Sequence, residues 1–145
     1  MANLVTFKAK GEWKGNLKVE VNIRNKFTIN MDEPPSLGGE DTAPSPVEVV
    51  LAALIGCLGI VIPVVAREKN IPLESIEIET EGDLDPRGFM GDPSVRAGYQ
   101  EVRAKVKIIS PVERERIEEL MKEVERRCPV SDIIRNPVNL KISLE

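Results

Sequence analysis

Apolar and polar residues alternate with a period of two through most of the first 31 residues of the chain. This period is typical of half-buried strands, because successive side chains of a strand point to opposite faces. The pattern predicts a meander of two hairpins, with turns at residues 11–16 and 24–25. The three strands are expected at residues 5–9, 17–23 and 27–31. Residues 32–44 are rich in proline, glycine and acidic side chains, which predicts a loop.

The pattern changes at Ser45, where a helix is predicted to begin. Ser45 and Glu48 have the spacing of a capping box, and Pro46 takes the first helical position, so three signals coincide. The helix is expected to run through the uncharged residues 49–66, with a kink or a short break at Pro63. The helix is predicted to end at the charged residues that follow.

The second half of the chain combines strands with a second helix. Ser110 and Glu113 repeat the capping-box spacing, and the apolar stripe of the helix that follows ends near Cys128. The expected elements, in order, are a strand at 76–80, a loop at 82–98, a strand at 102–108, a helix from 110, a helical turn at 131–135 and a strand at 138–144.

The uncharged segment just reaches the length at which a membrane span must be considered. It contains Pro63 and two glycines, and amphipathic strands that need a core surround it. A helix that is apolar all round is better explained as fully enclosed in a protein outside the membrane. Because one small sheet covers one side only, we expect a second copy to cover the other, with Gly56 and Gly59 permitting close approach.

The composition is that of a globular protein and excludes several functions. Apolar residues make up 41% and charged residues 30% of the 145 residues, which fits a single domain over residues 1–145. The net charge is −4 without a basic block, so neither nucleic acid nor a membrane is an expected partner. The N-terminal residues lack the features of a secretory signal, and we therefore expect a cytoplasmic protein.

Two cysteines and the absence of histidine limit the chemistry of the chain. Without histidine there is no Cys-His dyad, no histidine base and almost no possible zinc site. Cys57 lies in the uncharged helix and Cys128 at the end of the second helix, which suggests a reactive thiol pair. In a reducing cytoplasm a disulfide between them would be transient. Burial without reactivity is the alternative, because free cysteine is often a core residue.

A reactive Cys57 needs a cation that stabilises its thiolate, because an unperturbed or buried thiol is inert at neutral pH. The candidate cations are Lys14, Arg24, Arg87 and Arg96. The capping box accounts for Glu48, which is also a candidate to orient such a cation. Cys128 faces the negative end of a helix dipole, and this suits a resolving thiol better than an attacking one.

Two motifs around the cysteines follow the pattern of a known protein family. The first is Pro46-x-Glu48-x-x-Leu51-Ala52-Ala53-x-x-x-Cys57, and the second is Arg127-Cys128-Pro129-Val130-Ser131. They resemble the motifs around the peroxidatic and the second cysteine of the OsmC/Ohr family, the osmotically induced and organic hydroperoxide resistance proteins. Gly38-Gly39 before the helix also fits, and the Ser-Pro-x-Glu opening resembles the OsmC-like branch.

The resemblance implies an α+β fold with an antiparallel sheet, a long central apolar helix and a second helix, in an interwoven homodimer. It also implies a thiol-dependent peroxidase that reduces organic hydroperoxides in oxidative-stress defence. Cys57 would become a sulfenic acid, Cys128 would condense with it to a disulfide, and Glu48 is the third candidate site residue. No bound cofactor is implied, and an external dithiol of lipoyl or thioredoxin type would be the reductant.

Two positions leave a second hypothesis open. In the well-characterised organic hydroperoxide group, the glutamate follows the helix-opening proline directly, whereas Val47 holds that place here. That group also has an arginine in the N-terminal hairpin, where this chain offers Lys14. The alternative is a non-catalytic OsmC-like dimer that binds a small apolar or thiol-bearing ligand, or a redox sensor.

Overall fold

The computed structural model describes residues 2–145, and its strands and helices confirm the predicted α+β class. The strands of these residues form two antiparallel sheets, one with three strands and one with two. The chain divides into two compact units, one up to Val50 and one from Leu51 onward. The expectation of a single domain over residues 1–145 stays a prediction.

The first unit is built on an antiparallel meander. Its strands are β1 (Lys10–Trp13), β2 (Val19–Ile23) and β3 (Phe27–Met31), paired in that order. The two predicted hairpins are confirmed, but the first strand does not lie at residues 5–9. Residues 11–13, expected in the turn, belong to β1, because Gly15 and Asn16 make the tight turn with φ angles of 96° and 47°. Glycine and asparagine are the residues that tolerate this left-handed region.

The loop after β3 is held by Asp32, which is 1% exposed. Its carboxylate accepts from the N–H of Glu33 at 2.7 Å, and from the N–H and hydroxyl of Thr42 at 3.1 and 2.6 Å. The Thr42 hydroxyl is the largest cause that lowers the pKa of Asp32 from 3.8 to about 2, against the effect of burial. The predicted loop is confirmed, with a short 3-10 turn at Pro35–Leu37.

The long helix α1 (Pro46–Glu68) begins with the predicted capping box. Ser45 donates its N–H and its hydroxyl to Glu48 Oε1 at 3.0 and 2.9 Å, and the Glu48 N–H donates back to Ser45 Oγ at 3.4 Å. This reciprocal arrangement satisfies backbone donors that the first turn of a helix leaves free. The strongest helix signal in the sequence is therefore confirmed.

α1 is continuous and apolar over most of its length. Of the kink or short break predicted at Pro63, the kink stays a prediction and the break is wrong, because the helix continues past it with Ile62 and Val65 fully buried on either side. Their packing outweighs the one backbone hydrogen bond that a proline removes. By length and composition α1 could cross a membrane, since its most apolar window has a mean hydropathy of 2.9, and 28% of that window is buried.

The strands β4 (Ser75–Leu84) and β5 (Tyr99–Ile109) form the sheet of the second unit and confirm the predicted alternation. One face packs on the core with apolar side chains of both strands, among them Ile76, Ile78, Val102, Val106 and Ile108. The other face pairs acidic residues of β4 with basic residues of β5, namely Glu77 with Lys107, Glu79 with Lys105 and Glu81 with Arg103. Opposite charges across a strand pair stabilise one register.

Two boundaries predicted in the second unit are wrong. The loop expected at 82–98 begins later, because β4 extends into that range, and it contains the short helix α2 (Pro86–Phe89). The helix expected from Ser110 is α3 (Arg114–Arg127). The Ser110 hydroxyl donates to the carbonyl of Pro72 at 2.6 Å. It therefore anchors a loop instead of capping the helix.

Both ends of the described chain lie outside helices and strands. α4 (Pro129–Arg135) contains the predicted helical turn. The strand predicted at 138–144 is wrong, because no residue from 136 to 145 is assigned to a strand. Its alternating apolar side chains are exposed, namely Val138, Leu140, Ile142 and Leu144. Residues 2–9 are likewise exposed and outside any strand. A strand needs a neighbour for its backbone groups, and the described chain supplies none to either segment.

The core of the second unit forms where α1 meets α3. Leu54, Leu58 and Ile62 recur at helical spacing on one face of α1, and Leu120 and Val124 do so on α3. All five are buried in one cluster, with the apolar face of the β4–β5 sheet packed against it. Full burial of each such side chain contributes roughly 1.5–3 kcal/mol. These two stripes therefore fix how the helices pack.

We expect Asp32→Asn to lower the midpoint of thermal unfolding at neutral pH, because an amide nitrogen takes the place of one oxygen and cannot accept either the hydrogen bond from Glu33 or those from Thr42. The pKa of Asp32 is depressed, so its carboxylate contributes stability that is present above the ordinary carboxyl pKa. That contribution is lost as the pH falls through the native value of about 2. Calorimetry should show the difference from wild type shrinking between about pH 4 and about pH 2.

Asp41→Asn, at an exposed position of the same loop, is the matched control. An equal loss of stability in both variants would contradict the structural role of Asp32.

Candidate active site

Cys57 and Cys128 lie side by side in the second unit. Their Sγ atoms are 3.1 Å apart, and both cysteines are reduced. This separation is longer than a disulfide bond of about 2.05 Å and lets one thiol donate a hydrogen bond to the other. Two cysteines that are 71 positions apart in the sequence therefore form one thiol pair.

The apolar stripes of two helices bring the cysteines together. Cys57 lies one turn after Leu54 on α1, and Cys128 lies one turn after Val124 at the end of α3. Cys128 is 1% exposed, whereas Cys57 is half-buried. Because the same stripes pack α1 against α3, the thiol pair belongs to the core of the second unit.

An ion pair beside the cysteines joins the ends of α1 and α3. The Nη1 and Nη2 atoms of Arg127 donate to the two carboxylate oxygens of Glu68 at 2.7 and 3.1 Å. A bidentate pair of this kind fixes orientation as well as distance. Arg127 directly precedes Cys128, so the ion pair holds the junction that carries the second thiol.

The surroundings of Cys57 disfavour its thiolate. Burial is the largest cause that raises the pKa of Cys57. The N–H of Val130 lowers this pKa, whereas the hydrogen bond and the charge of Cys128 raise it further. Among the described residues, no lysine or arginine contributes to the shift. Within the described chain, the Val130 N–H is therefore the one group that favours the Cys57 thiolate, and it does not offset burial and the neighbouring thiol.

The surroundings of Cys128 favour its thiolate. Burial raises the pKa of Cys128, but the Ser131 hydroxyl, the Cys57 thiol and the N–H groups of Ser131 and Val130 lower it, and the net direction is downward. These groups at the start of α4 oppose the unfavourable end of α3, since Cys128 is the residue between the two helices. The start of α4 therefore opposes the effect of burial on the pKa of Cys128.

Ser131 and Val130 are site residues that sequence reasoning missed. Cys128 takes the N-cap position of α4, and Ser131 follows three residues later, which is the spacing that brings an N-cap side chain near the N3 residue. The Cys128 sulfur makes no side-chain capping hydrogen bond there. The Ser131 hydroxyl is the first of the groups that lower the pKa of Cys128, and the Cys-Pro-x-Ser spacing was the signal for it.

Glu48, the third predicted site residue, accepts hydrogen bonds from Ser45 at the start of α1. The N–H and the hydroxyl of Ser45 lower the pKa of Glu48 by donating to its carboxylate. These contacts account for Glu48 as a helix cap. Its catalytic role stays a prediction.

Three of the four candidate cations have partners of their own. They are Lys14 with Glu12 at 2.7 Å, Arg24 over the Phe27 ring at 5.3 Å, and Arg87 with Asp85 at 2.6 Å. The fourth, Arg96, is exposed. Arg87 and Arg96 share the second unit with Cys57, yet neither contributes to the shift of its pKa.

A cavity of about 230 Å³ is lined by residues of α1, the β4–β5 sheet, α3 and α4. Leu54 and Leu58 of α1 line one part of it, and Ser131 lines another. Glu125 and Arg135, which form an ion pair at 3.3 Å, also line it. The cavity therefore combines an apolar wall on α1 with a polar wall on α4, next to the hydroxyl that influences Cys128.

The model of the family described as OsmC-like protein matches residues 38–143 of the chain. The chain belongs to the OsmC-like protein family. The matched range includes both cysteines and the whole of α1, so the long apolar helix is part of the OsmC-like domain. The predicted family is thereby confirmed. No match was found among curated proteins.

Solved structures share the OsmC-like fold over nearly the whole chain. An OsmC-like protein from Mycoplasma pneumoniae has a TM-score of 0.79 and 17% identity, over 92% of this chain and 89% of that one. An organic hydroperoxide resistance protein OsmC from Legionella pneumophila, described as a redox protein and regulator of sulfide bond formation, has a TM-score of 0.70 and 26% identity, over 97% and 96%. A Vibrio cholerae protein described as an organic hydroperoxide resistance protein, with captopril in one of its active sites, has a TM-score of 0.67 and 21% identity, over 94% and 89%.

We expect a mild oxidant such as diamide to close the pair into an intrachain disulfide, because the sulfurs at 3.1 Å need to approach by only about 1 Å. Intact mass should fall by two hydrogens per chain, and peptide mapping should join Cys57 to Cys128. Cys57→Ser and Cys128→Ser, the controls, should show no such loss. Crosslinks that join only different chains would contradict the geometry.

Proposed function

We propose that the protein is a thiol-dependent peroxidase that reduces organic hydroperoxides in oxidative-stress defence. The observation that carries this proposal is the contact between the Cys57 and Cys128 sulfurs at 3.1 Å. A thiol that a peroxide has oxidised needs a second thiol within bonding reach, and this pair supplies both. Membership of the OsmC-like family supports the proposal, because some structural neighbours are described as organic hydroperoxide resistance proteins.

In this mechanism Cys57 attacks and Cys128 resolves. The Cys57 thiolate attacks the distal oxygen of the hydroperoxide, the O–O bond breaks, and the alcohol leaves after taking up a proton. The Cys57 sulfenic acid then reacts with the Cys128 thiolate, which forms a disulfide and releases hydroxide. Cys57 is the more exposed of the two, and this favours the order.

An external dithiol of lipoyl or thioredoxin type restores the pair in this proposal. One thiolate of the dithiol attacks the disulfide to form a mixed disulfide, and its second thiol releases the reduced protein. The two electrons that reduce the peroxide therefore come from the dithiol. No bound cofactor takes part.

The apolar surroundings of the pair favour an organic hydroperoxide over hydrogen peroxide. Leu54 and Leu58, which flank Cys57 along α1, are buried apolar side chains that also line the cavity of about 230 Å³. Burial of each CH₂ group of a substrate contributes about 0.8 kcal/mol, a contribution that hydrogen peroxide cannot make. A water-poor site also limits further oxidation of Cys57 up to the sulfinic acid.

A second copy of the chain is the proposed partner, in a homodimer. Of the apolar window of α1, 28% is buried within one chain. Residues 138–144 and 2–9 present further exposed apolar side chains without a neighbouring strand. Extended apolar surface of this kind marks an association site. Enclosure of α1 between two copies is consistent with the cytoplasmic location that belongs to this proposal.

The second candidate function is a non-catalytic dimer that binds a small apolar or thiol-bearing ligand, or a redox sensor. Burial raises the pKa of Cys57, which favours a slow thiol. The Vibrio cholerae protein holds captopril, a thiol compound, in one of its active sites. A sensor or a binder would not consume peroxide repeatedly, so catalytic turnover separates the two functions.

Cumene hydroperoxide should be consumed catalytically in the presence of dihydrolipoamide, as measured by a ferrous-oxidation assay of the remaining peroxide. Cys57→Ser should reduce turnover to the uncatalysed rate, because the attacking sulfur is lost. Hydrogen peroxide should react at least about tenfold more slowly, since apolar burial worth ~1.4 kcal/mol is enough for that ratio.

Ser75→Ala, at an exposed position at the start of β4, is the matched control and should retain wild-type turnover. The absence of turnover in the wild type, or full turnover in Cys57→Ser, would rule out the peroxidase.

Sedimentation velocity should give twice the chain mass of 16.1 kDa. Ile142→Lys should weaken the dimer, because it places a charge among the exposed apolar side chains of the C-terminal segment. Lys141→Ala, on the alternate side of the same segment, is the control. A wild-type protein that stays monomeric at micromolar concentration would contradict the homodimer.

A further inference from the structure

The position of the Cys128 sulfur depends on the last turn of α3. This helix ends at Arg127 and α4 begins at Pro129, so Cys128 is the one residue between the two helices. Its side chain is buried, and its sulfur lies 3.1 Å from that of Cys57. The last turn of a helix leaves carbonyls without helical partners and frays readily. A contact that holds this turn against α1 therefore also holds the sulfur within reach of Cys57.

The ion pair between Arg127 and Glu68 is such a contact. Glu68 is the last residue of α1, and its two oxygens accept from the guanidinium at 2.7 and 3.1 Å. The Arg127 side chain is 33% exposed, so solvent screens the pair only in part. Glu123, one turn earlier in α3, is a further carboxylate that faces Arg127, at 3.8 Å. Because the main pair is bidentate, it fixes the direction as well as the distance of the last turn.

Two other arginines of α3 make contacts that differ from this one in a single respect. Arg116 also joins α3 to the end of α1, because its Nη2 donates to the carbonyl of Lys69 at 3.0 Å. It lies about three turns, or about 16 Å, before Arg127 along α3. Arg126 is next to Arg127, but its ion pair with Glu123 stays within α3. These arginines therefore separate a link beside the thiol pair from a distant link and from an ion pair that links nothing.

A link beside the thiol pair bears on how readily the pair closes to a disulfide. Without the ion pair, the last turn of α3 gains freedom in the dithiol state. In the disulfide state the bond between the sulfurs restrains the same turn. The turn must then be ordered each time the bond forms, and this entropic cost lowers the effective concentration of one thiol at the other.

We propose that Arg127 is a positioning residue of the thiol pair, and that its ion pair with Glu68 favours closure of the Cys57–Cys128 disulfide. Arg127 acts through Cys128, which it holds near Cys57. Closure is the step that resolves the Cys57 sulfenic acid, so the consequence for turnover rests on the peroxidase function proposed above. Closure itself does not rest on that function, since any thiol oxidant drives the same bond.

The first test measures the equilibrium between dithiol and disulfide in glutathione buffers, without any peroxide. As the Cys57–Cys128 bond forms, the S–S bond of oxidised glutathione breaks, and two glutathione thiols take up the two electrons and two protons. Arg127→Gln should lower the equilibrium constant for closure about threefold, the contribution of a partly exposed ion pair. Glu68→Gln should give a similar loss, and the double variant should lose no more than Arg127→Gln. A wild-type constant in Arg127→Gln would overturn the inference.

The second test compares unfolding of the two redox states by urea at one fixed protein concentration. The unfolded chain holds no ion pair, so closure and unfolding form one thermodynamic cycle. Arg127→Gln should therefore raise the unfolding equilibrium constant of the disulfide form about threefold more than that of the dithiol form. A purely structural contact would affect both forms equally, and that result would overturn the inference.

Arg116→Gln and Arg126→Gln are the matched controls for both tests. Arg116→Gln removes a link between the same two helices, and Arg126→Gln removes a guanidinium from the same turn. Each should weaken the two redox states equally and leave the constant for closure unchanged. A loss of closure in Arg116→Gln as large as that in Arg127→Gln would overturn the positioning role.

A single turnover with cumene hydroperoxide connects the inference to the proposed function. Arg127→Gln should form the Cys57 sulfenic acid at the wild-type rate but lengthen its lifetime about threefold, as followed by dimedone trapping and mass spectrometry. An unchanged lifetime would overturn the positioning role while the peroxidase stands. If wild-type Cys57 forms no sulfenic acid, the peroxidase function fails, and the glutathione equilibrium still decides the inference.

Discussion

Two sulfurs at 3.1 Å in a packed core require that three helices meet at one point. α1 contributes Cys57 between its buried leucines, and α3 contributes Cys128 as the last position of its apolar stripe. The ion pair between Glu68 and Arg127 holds the same ends together on the outside. α4 begins at this junction, with Cys128 as its N-cap residue. The distance between the two sulfurs therefore depends on the hydrophobic packing of the helices, and a substitution that disturbs this packing would also disturb the thiol pair.

Because the chain has no histidine, no imidazole can take a proton from either thiol, and thiolate formation depends on the other groups around the pair. A buried thiol alone is a poor nucleophile at neutral pH, because burial penalises the thiolate. In this chain a second thiol lies where another protein would place a base or a cation. Burial raises the pKa of Cys57, whereas polar groups at the start of α4 lower the pKa of Cys128.

The sequence alone predicted those elements whose signals come from residues close together in the chain. The capping box at Ser45 and the alternation of β4 and β5 depend on neighbours within a few residues, and both were predicted correctly. The start of α3 was missed because the partner of Ser110 is 38 residues away. The pattern at 138–144 indicates a strand, yet one chain offers no neighbour for it. Of the site, the two cysteines followed from their motifs, whereas the influence of Ser131 required the junction of α3 and α4.

Mixing the Cys57→Ser and Cys128→Ser variants tests most directly whether one chain holds a complete thiol pair. The two variants are unfolded and refolded together, and peroxide turnover with a dithiol is then compared with that of each variant alone. The account predicts no gain on mixing, because every chain lacks one of the two sulfurs. Recovery of a substantial fraction of wild-type turnover would contradict it, since the working thiols would then come from different chains.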